Sequence, residues 1–376
     1  MARSSGLPRH SRNVAITLLA WVGAALLFSF IRLYGIEEEG LYRPMASSRD
    51  VLSTILKEGF ILGLAFGLIF GLLDLLMGLR WWRSLSYGLI ILIRTLAHIV
   101  LTLGIMVLAF WWLQVWDGDP ARTQGWEVLR EGMHLKTGLV LLVYTSVVSF
   151  LFNFIRQVAA MFGPGTLAKL ISGRYHQPQE EWRIFMFLDL KSSTTYAERL
   201  GHVLYSELIQ DCFYDLTDAI QQHGVEVYQY VGDEAVLTWQ PREGLRNLNC
   251  LRAYFSFEAS IQRRARYYFD KYDLVPVFKA GVNAGLVMVA EVGVVKKEIA
   301  YHSDVLNTAA RVQGYCNKLG HRLLMPEAMK DYLGDPPPDL TYSYAGTVPL
   351  RGKSSEVALY AVEALGTEEH AFAFSE

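Results

Sequence analysis

Hydrophobic and polar positions divide the chain into two regimes. Residues 14–155 carry long apolar runs with few charges, whereas residues 174–363 mix charge with strand-like alternation and helical periodicity. Four runs, at 14–31, 60–79, 87–115 and 137–155, approach the roughly 20 residues with which a helix crosses a bilayer. They predict a four-helix transmembrane domain over 14–155, preceded by a short cytoplasmic N-terminus, 1–13. Arg3, Arg9 and Arg12 precede the first run as in a signal peptide, but no small-residue cleavage site follows Phe28-Ser29-Phe30-Ile31-Arg32, so the run is read as retained.

In the second regime, periodicity predicts strands at 184–188, 225–231, 235–239, 278–283 and 287–292, and closing strands near Leu323 and at 357–362. Helices are predicted at 195–216, 248–268 and 304–319. The opening βαββαβ order predicts an α+β, ferredoxin-like sheet with helices on one face, in a domain over 182–363. Between the two regimes, 156–181 contains Phe162-Gly163-Pro164-Gly165 and Pro178, which break the fourth helix. This linker reads either as a transducing joint or as a passive tether. Residues 364–376 lack periodicity and read as a disordered tail.

Within the apolar half, Gly59, Gly63, Gly67 and Gly71 form a smooth stripe for close helix approach, either inside one bundle or toward a second copy. Asp74, Arg94 and His98 are ionisable groups at bilayer depth, where an unpaired charge is costly; they predict a buried polar cluster, structural or sensory. Trp81, Trp82, Trp111, Trp112 and Trp116 lie near run ends, as interfacial indoles do. Lys and Arg divide eight to seven between the two sides, so the positive-inside rule fixes no orientation. An even number of crossings puts both termini on one side.

A net charge of −2 carries no polyanion footprint and argues against nucleic acid as a partner. Cys212, Cys250 and Cys316 are scattered without Cys-x-x-Cys spacing, which excludes a zinc site or disulfide framework and suits a reducing compartment.

Candidate chemistry lies in three stretches. Phe187-Leu188-Asp189-Leu190-Lys191-Ser192-Ser193-Thr194-Thr195 and Tyr230-Val231-Gly232-Asp233-Glu234 each place a carboxylate where an apolar strand breaks. Two strand ends then present aspartates toward divalent cations. Taken singly, Asp189 reads equally as a helix cap and Asp233 as a turn residue. In Asn307-Thr308-Ala309-Ala310-Arg311, Asn307 and Arg311 are four apart on one helix face, where a guanidinium can meet phosphate oxygens. Gly346 to Ser354 mimics a P-loop, but five residues separate its glycines and a strand follows, so it is no Walker motif.

Together, in this order and with Lys353 near the end, these stretches resemble the class III nucleotidyl cyclase family over about half the chain, from Trp182 to Val362. The resemblance implies a membrane-bound adenylate cyclase, catalytic domain cytoplasmic at the inner membrane, that converts ATP to 3′,5′-cyclic AMP and pyrophosphate. It implies two Mg²⁺ or Mn²⁺ ions on Asp189 and Asp233. Amides of Leu190, Lys191, Ser192, Ser193 and Thr194 would cradle the triphosphate, Asn307 would orient the ribose, and Arg311 and Lys353 would meet phosphate charge. It also implies a homodimer in which the aspartates of one copy meet Asn307 and Arg311 of the other. At the family's two base-reading positions stand Gln229 and Ala300, in place of the lysine and the aspartate or threonine of adenylate-specific members. Gln229 can donate and accept, Ala300 reads nothing, and Glu298 or Tyr301 are available substitutes. ATP is expected over GTP because no carboxylate stands at 229. Three other readings stay open: a guanylate cyclase, a nucleotide-binding receptor without catalysis, and a diguanylate cyclase, whose Gly-Gly-Asp-Glu-Phe hairpin Val231 to Ala235 resembles in degraded form.

Overall fold

The computed structural model describes residues 9–35, 48–76, 85–116, 134–162, 166–350 and 356–365. The chain separates into two compact units, Met1–Phe162 and Gly163–Glu376.

The described residues of the first unit form helices α1 (Arg9–Gly35), α2 (Ser48–Leu76), α3 (Tyr87–Trp116) and α4 (His134–Phe162). Among the described residues, three stretches are long and apolar enough to cross a membrane: Val14–Ile31, Tyr87–Ile105 and Leu139–Met161. The fourth expected span, 60–79, corresponds in α2 to a shorter apolar stretch, Gly59–Leu73. Lys57 and Glu58 on one side and Asp74 on the other bound this charge-free run.

The glycine stripe of α2 is used within the chain. A Cβ on Gly67 would lie 2.8 Å from Leu18 Cα of α1, so the two backbones touch where side chains would normally stand. Trp21, Phe66 and Phe70 fill the contact. His98 is fully buried, stacks on Phe70 with ring centroids 4.0 Å apart, and bonds Ser149 Oγ through Nδ1 at 2.6 Å. Arg94 is half-buried. The side chains of Asp74 and of the five end tryptophans, and the tail from 366, lie outside the described residues.

The second unit opens with a short helix, α5 (Thr166–Ile171), and strand β1 (Gln179–Leu190). There follow α6 (Ser193–Gln222), β2 (Glu226–Val231), β3 (Glu234–Trp239), α7 (Pro241–Leu245), α8 (Asn249–Arg263), α9 (Ala265–Tyr272) and β4 (Phe278–Val292). The unit closes with β5 (Glu298–His302), α10 (Asp304–Leu319), β6 (Leu323–Pro326), α11 (Glu327–Leu333), β7 (Leu340–Val348) and β8 (Val357–Ala364). One eight-stranded sheet runs β2-β3-β1-β4-β6-β8-β7, with β5 beside β4. Its first four members are the expected ferredoxin-like core.

Three expectations change. The strands predicted at 278–283 and 287–292 are one strand, because β4 pairs with β1 from Phe278 through Val289 and the pairing holds the intervening Ala284 and Gly285 extended. The helix predicted at 248–268 divides at Arg264 into α8 and α9. Helices cover both faces of the sheet rather than one. Ile184, Met186, Leu188 and Leu190 pack with Cys212 of α6 and Phe257 of α8, whereas Phe185 and Phe187, pointing the other way, pack with Ala309 and Val305 of α10. Gly281 admits α10 onto that second face, since a Cβ there would collide with the helix backbone at Ala309 and Gln313. All three cysteines are buried, and burial pushes the Cys250 and Cys316 thiols up to about 12.

Candidate active site

Asp189 is the penultimate residue of β1, on the α10 face of the sheet. Antiparallel pairing with β3 sets it opposite Glu234, directly after the β2–β3 turn. Gly232 makes that turn with φ +61°, a conformation that a side chain disfavours, and so brings Asp233 round to the end of β1. Asp189 Oδ2 accepts from Gln313 Nε2 of α10 at 2.8 Å and lies 3.1 Å from Lys279 Nζ of β4.

Electrostatics couple these groups. Burial raises the Asp189 pKa, Lys279 works against the rise, and the neighbouring Asp233 carboxylate adds to it. Burial, then the charges of Asp189 and Asp233, push Glu234 up to about 7. Asp233 Oδ2 is buried without a hydrogen-bond partner. An orphaned carboxylate oxygen beside a second carboxylate is a hard-oxygen donor pair that fits a divalent cation. Among the described residues no three His, Cys, Asp or Glu side chains converge on one point. Two aspartates would therefore hold the metal with oxygens from substrate and water.

The expected amide cradle is narrower in the structure. Leu190 is buried in the core and the Lys191 N–H donates to Val277 O at 2.8 Å, so neither is available to a phosphate. Ser192 stands before the helix in left-handed conformation, φ 60° and ψ 30°, and α6 begins at Ser193. The free first-turn amides are those of Ser193, Thr194 and Thr195.

Ser303 caps α10, its hydroxyl accepting from Val305 N–H. Asn307 is exposed; Arg311 is half-buried, its Nη1 4.0 Å from Asp304 Oδ1. Gln313, not these two, reaches Asp189, so Asn307 and Arg311 are not brought onto the aspartates of their own chain. Gln229 is exposed on β2 after a bulge between Val227 and Gln229, and Ala300 lies in β5 opposite Ala290. Their sequence neighbours Tyr228 and Tyr301 meet edge to face at 5.0 Å. Tyr301 also packs edge to face against Phe185, with centroids 5.2 Å apart. Glu298 pairs with Lys296. Lys353 lies outside the described residues.

The sequence profile of the adenylate and guanylate cyclase catalytic domain matches residues 175–364, half of the chain. The chain belongs to this cyclase family. The chain is 31% identical over 226 residues to Adenylate cyclase 2 of Rhizobium meliloti (strain 1021), an alignment that takes in 60% of this chain and 62% of the relative. The chain thus spans less than two thirds of that relative's length. In structure the chain is similar to a bacterial light-regulated adenylyl cyclase, with a TM-score of 0.51 at 18% identity over 62% of this chain and 67% of the other. A second structure of a bacterial light-regulated adenylyl cyclase gives 0.50 at 17% identity, with the same coverage of both chains. These likenesses concern the fold.

Sequence reasoning missed Lys279 and Gln313 at the candidate site. Each had a signal: Lys279 is a lone cation in an apolar central strand, and Gln313 interrupts the buried arc Ala309, Val312, Cys316 of α10.

Proposed function

We propose that the chain is a membrane-anchored adenylate cyclase, which converts ATP to 3′,5′-cyclic AMP and pyrophosphate. The observation that carries this reading is the pairing of Asp189 with Asp233, whose orphaned oxygen asks for a cation, on the fold of a cyclase family. The name of the Rhizobium relative supports the adenylate class. When bound at Asp189 and Asp233, two Mg²⁺ or Mn²⁺ ions supply Lewis acidity to the ribose 3′ hydroxyl and neutralise triphosphate charge.

The chain's own groups do the rest. The 3′ hydroxyl gives up its proton to water as its oxygen attacks the α-phosphorus in line; the bond to pyrophosphate breaks, so charge grows on the equatorial oxygens and the leaving group. Amides of Ser193 and Thr194 at the α6 N-terminus face that charge, and Lys279 adds a cation beside Asp189. Arg311 stabilises the transition state and Asn307 holds the ribose, both from the second copy of a homodimer, with Lys353 at the terminal phosphates. Gln229 meets the purine edge, and the absence of a carboxylate there favours ATP over GTP. The helices of the first unit hold the chain in the inner membrane as a multi-pass protein, α2 supplying the fourth crossing, with residues 182–363 in the cytoplasm, where ATP is.

Purified full chain incubated with ATP or GTP and Mn²⁺, with the products separated, tests this. Cyclic AMP is the expected product; formation of cyclic GMP alone, or of neither nucleotide, overturns it.

A further inference from the structure

Away from the aspartates, one cation is fully enclosed. The Arg183 side chain has 0% exposure and lies on the same face of β1 as Asp189, six residues before it. Its Nε and Nη2 donate to Glu181 Oε2 at 3.0 and 2.8 Å, its Nη1 donates to Glu226 Oε2 at 3.1 Å, and its guanidinium covers the Tyr301 ring at 5.5 Å.

Both carboxylates are shared with the segment that enters the second unit. Lys169 of α5 donates to Glu226 Oε2 at 3.1 Å. Tyr175 and Arg174 donate to Glu181 Oε1 at 2.7 and 3.1 Å, and the Tyr175 carbonyl accepts from Glu291 N–H at 2.8 Å. Burial works to raise Glu181, yet the bonds from Tyr175 and the two arginines outweigh it and hold the carboxyl below its ordinary value. Segment 166–175 is therefore tied on both sides of a single guanidinium.

The tied elements all lead to the site. Glu226 is the first residue of β2, whose far end turns into Gly232 and Asp233. Glu181 lies on the strand that ends at Asp189. Tyr301 sits two residues before the cap of α10. Of these, β2 has the weakest support, since it is the edge strand, paired only to β3, and carries the bulge at Tyr228. Its near end is held by the two bonds to Glu226, and a strand anchored at one end passes displacement to the other. A buried ion pair adds little net stability and is better explained by the geometry it fixes.

We propose that Arg183 is a positioning residue and that Arg183, Glu226 and Lys169 form the joint through which displacement of segment 166–175 moves the Asp233 hairpin. Its catalytic consequence rests on the cyclase reading above; its mechanical content does not.

The test uses the full chain in detergent with four variants, Lys169→Met, Lys169→Glu, Lys169→Arg and Arg183→Lys. Hydrogen exchange is followed at residues 166–175 and 226–234, and Mn²⁺ affinity is measured without nucleotide. Lys169→Met and Lys169→Glu should speed exchange at 226–234 roughly tenfold, weaken Mn²⁺ binding several-fold and lower kcat more than they raise KM; Lys169→Arg should match wild type. Arg183→Lys should do the same as Lys169→Met; should that variant not fold, the Lys169 series decides alone. Faster exchange confined to 166–175, or unchanged exchange in both segments, overturns the joint. A wild-type protein that makes no cyclic nucleotide yet shows the coupled exchange keeps the joint and removes the cyclase reading.

Discussion

Gln313 donates to Asp189 at 2.8 Å from the side of α10 that lies on the sheet, and Arg311, two residues earlier, projects about 200° around the same helix. One chain therefore cannot fold Arg311 onto a nucleotide held at its own aspartates. In the homodimer proposed above, each site would take Asp189 and Asp233 from one copy and Arg311 from the other. Asp189→Asn and Arg311→Ala should each be nearly inactive, the arginine being worth on the order of 10³ to 10⁵ in rate. Mixed, they should regain activity, because one site of each heterodimer is intact. No recovery in demonstrated heterodimers would remove the shared site.

Ser192 adopts φ 60° without a side-chain bond to the helix it precedes. Relief of left-handed strain is worth about 1–2 kcal/mol, and the added backbone freedom of glycine takes back about 0.5–1. Ser192→Gly should raise the melting temperature by a few degrees, and Ser192→Val should lower it. Thermal melts of both variants against wild type check the order.

Gly281→Ala should destabilise the second unit by about 1–3 kcal/mol, because the new methyl meets backbone that has no rotamer to yield. Gly314, on α10 with open space around it, is the control. Gly314→Ala should leave stability unchanged or raise it by up to about 1 kcal/mol through helix propensity. Denaturant melts of the pair measure the difference.

His223 is buried, with Asn249 on Nδ1 and Ser256 on Nε2. Burial chiefly lowers its pKa from 6.5; the Asn249 bond opposes this and the Arg252 charge adds to it. As pH falls below 6.5 the unfolded chain takes up a proton that the folded imidazole resists, so stability is lost from there down to the folded pKa. His223→Gln should flatten the decline of melting temperature with acidification in that window. Equal slopes in the two proteins would assign the decline elsewhere.

Base selection gives a second activity test. With Gln229 exposed and Ala300 apolar, kcat/KM should favour ATP over GTP by a modest factor, and Gln229→Glu should shift the ratio toward GTP. An unchanged ratio would place base reading at other residues.

The aspartates and the ferredoxin-like order were legible because strand alternation and Gly-Asp turns are local signals. The joining of 278–283 to 287–292 was not, since only pairing with β1 carries the strand through Ala284 and Gly285. Placement of α10 on the second face depends on the absent side chain of Gly281, which periodicity does not register. Lys279 and Gln313 escaped because each reaches Asp189 only through a contact far along the chain. The expected amide cradle starts at Leu190, whereas the first-turn amides of α6 start at Ser193; the N–H of Lys191 is taken by Val277, a contact with no sequence mark.

The close seat of α10 on β4 also limits how such an enzyme can be controlled. With helix backbone against sheet backbone at Gly281, and Gln313 bolted to Asp189, the helix can neither roll nor slide without steric collision. In the homodimer proposed above, α10 would then carry Arg311 as a fixed arm. A stimulus would have the looser flank of the same subunit to work on, the edge strand β2 that ends at the Asp233 hairpin.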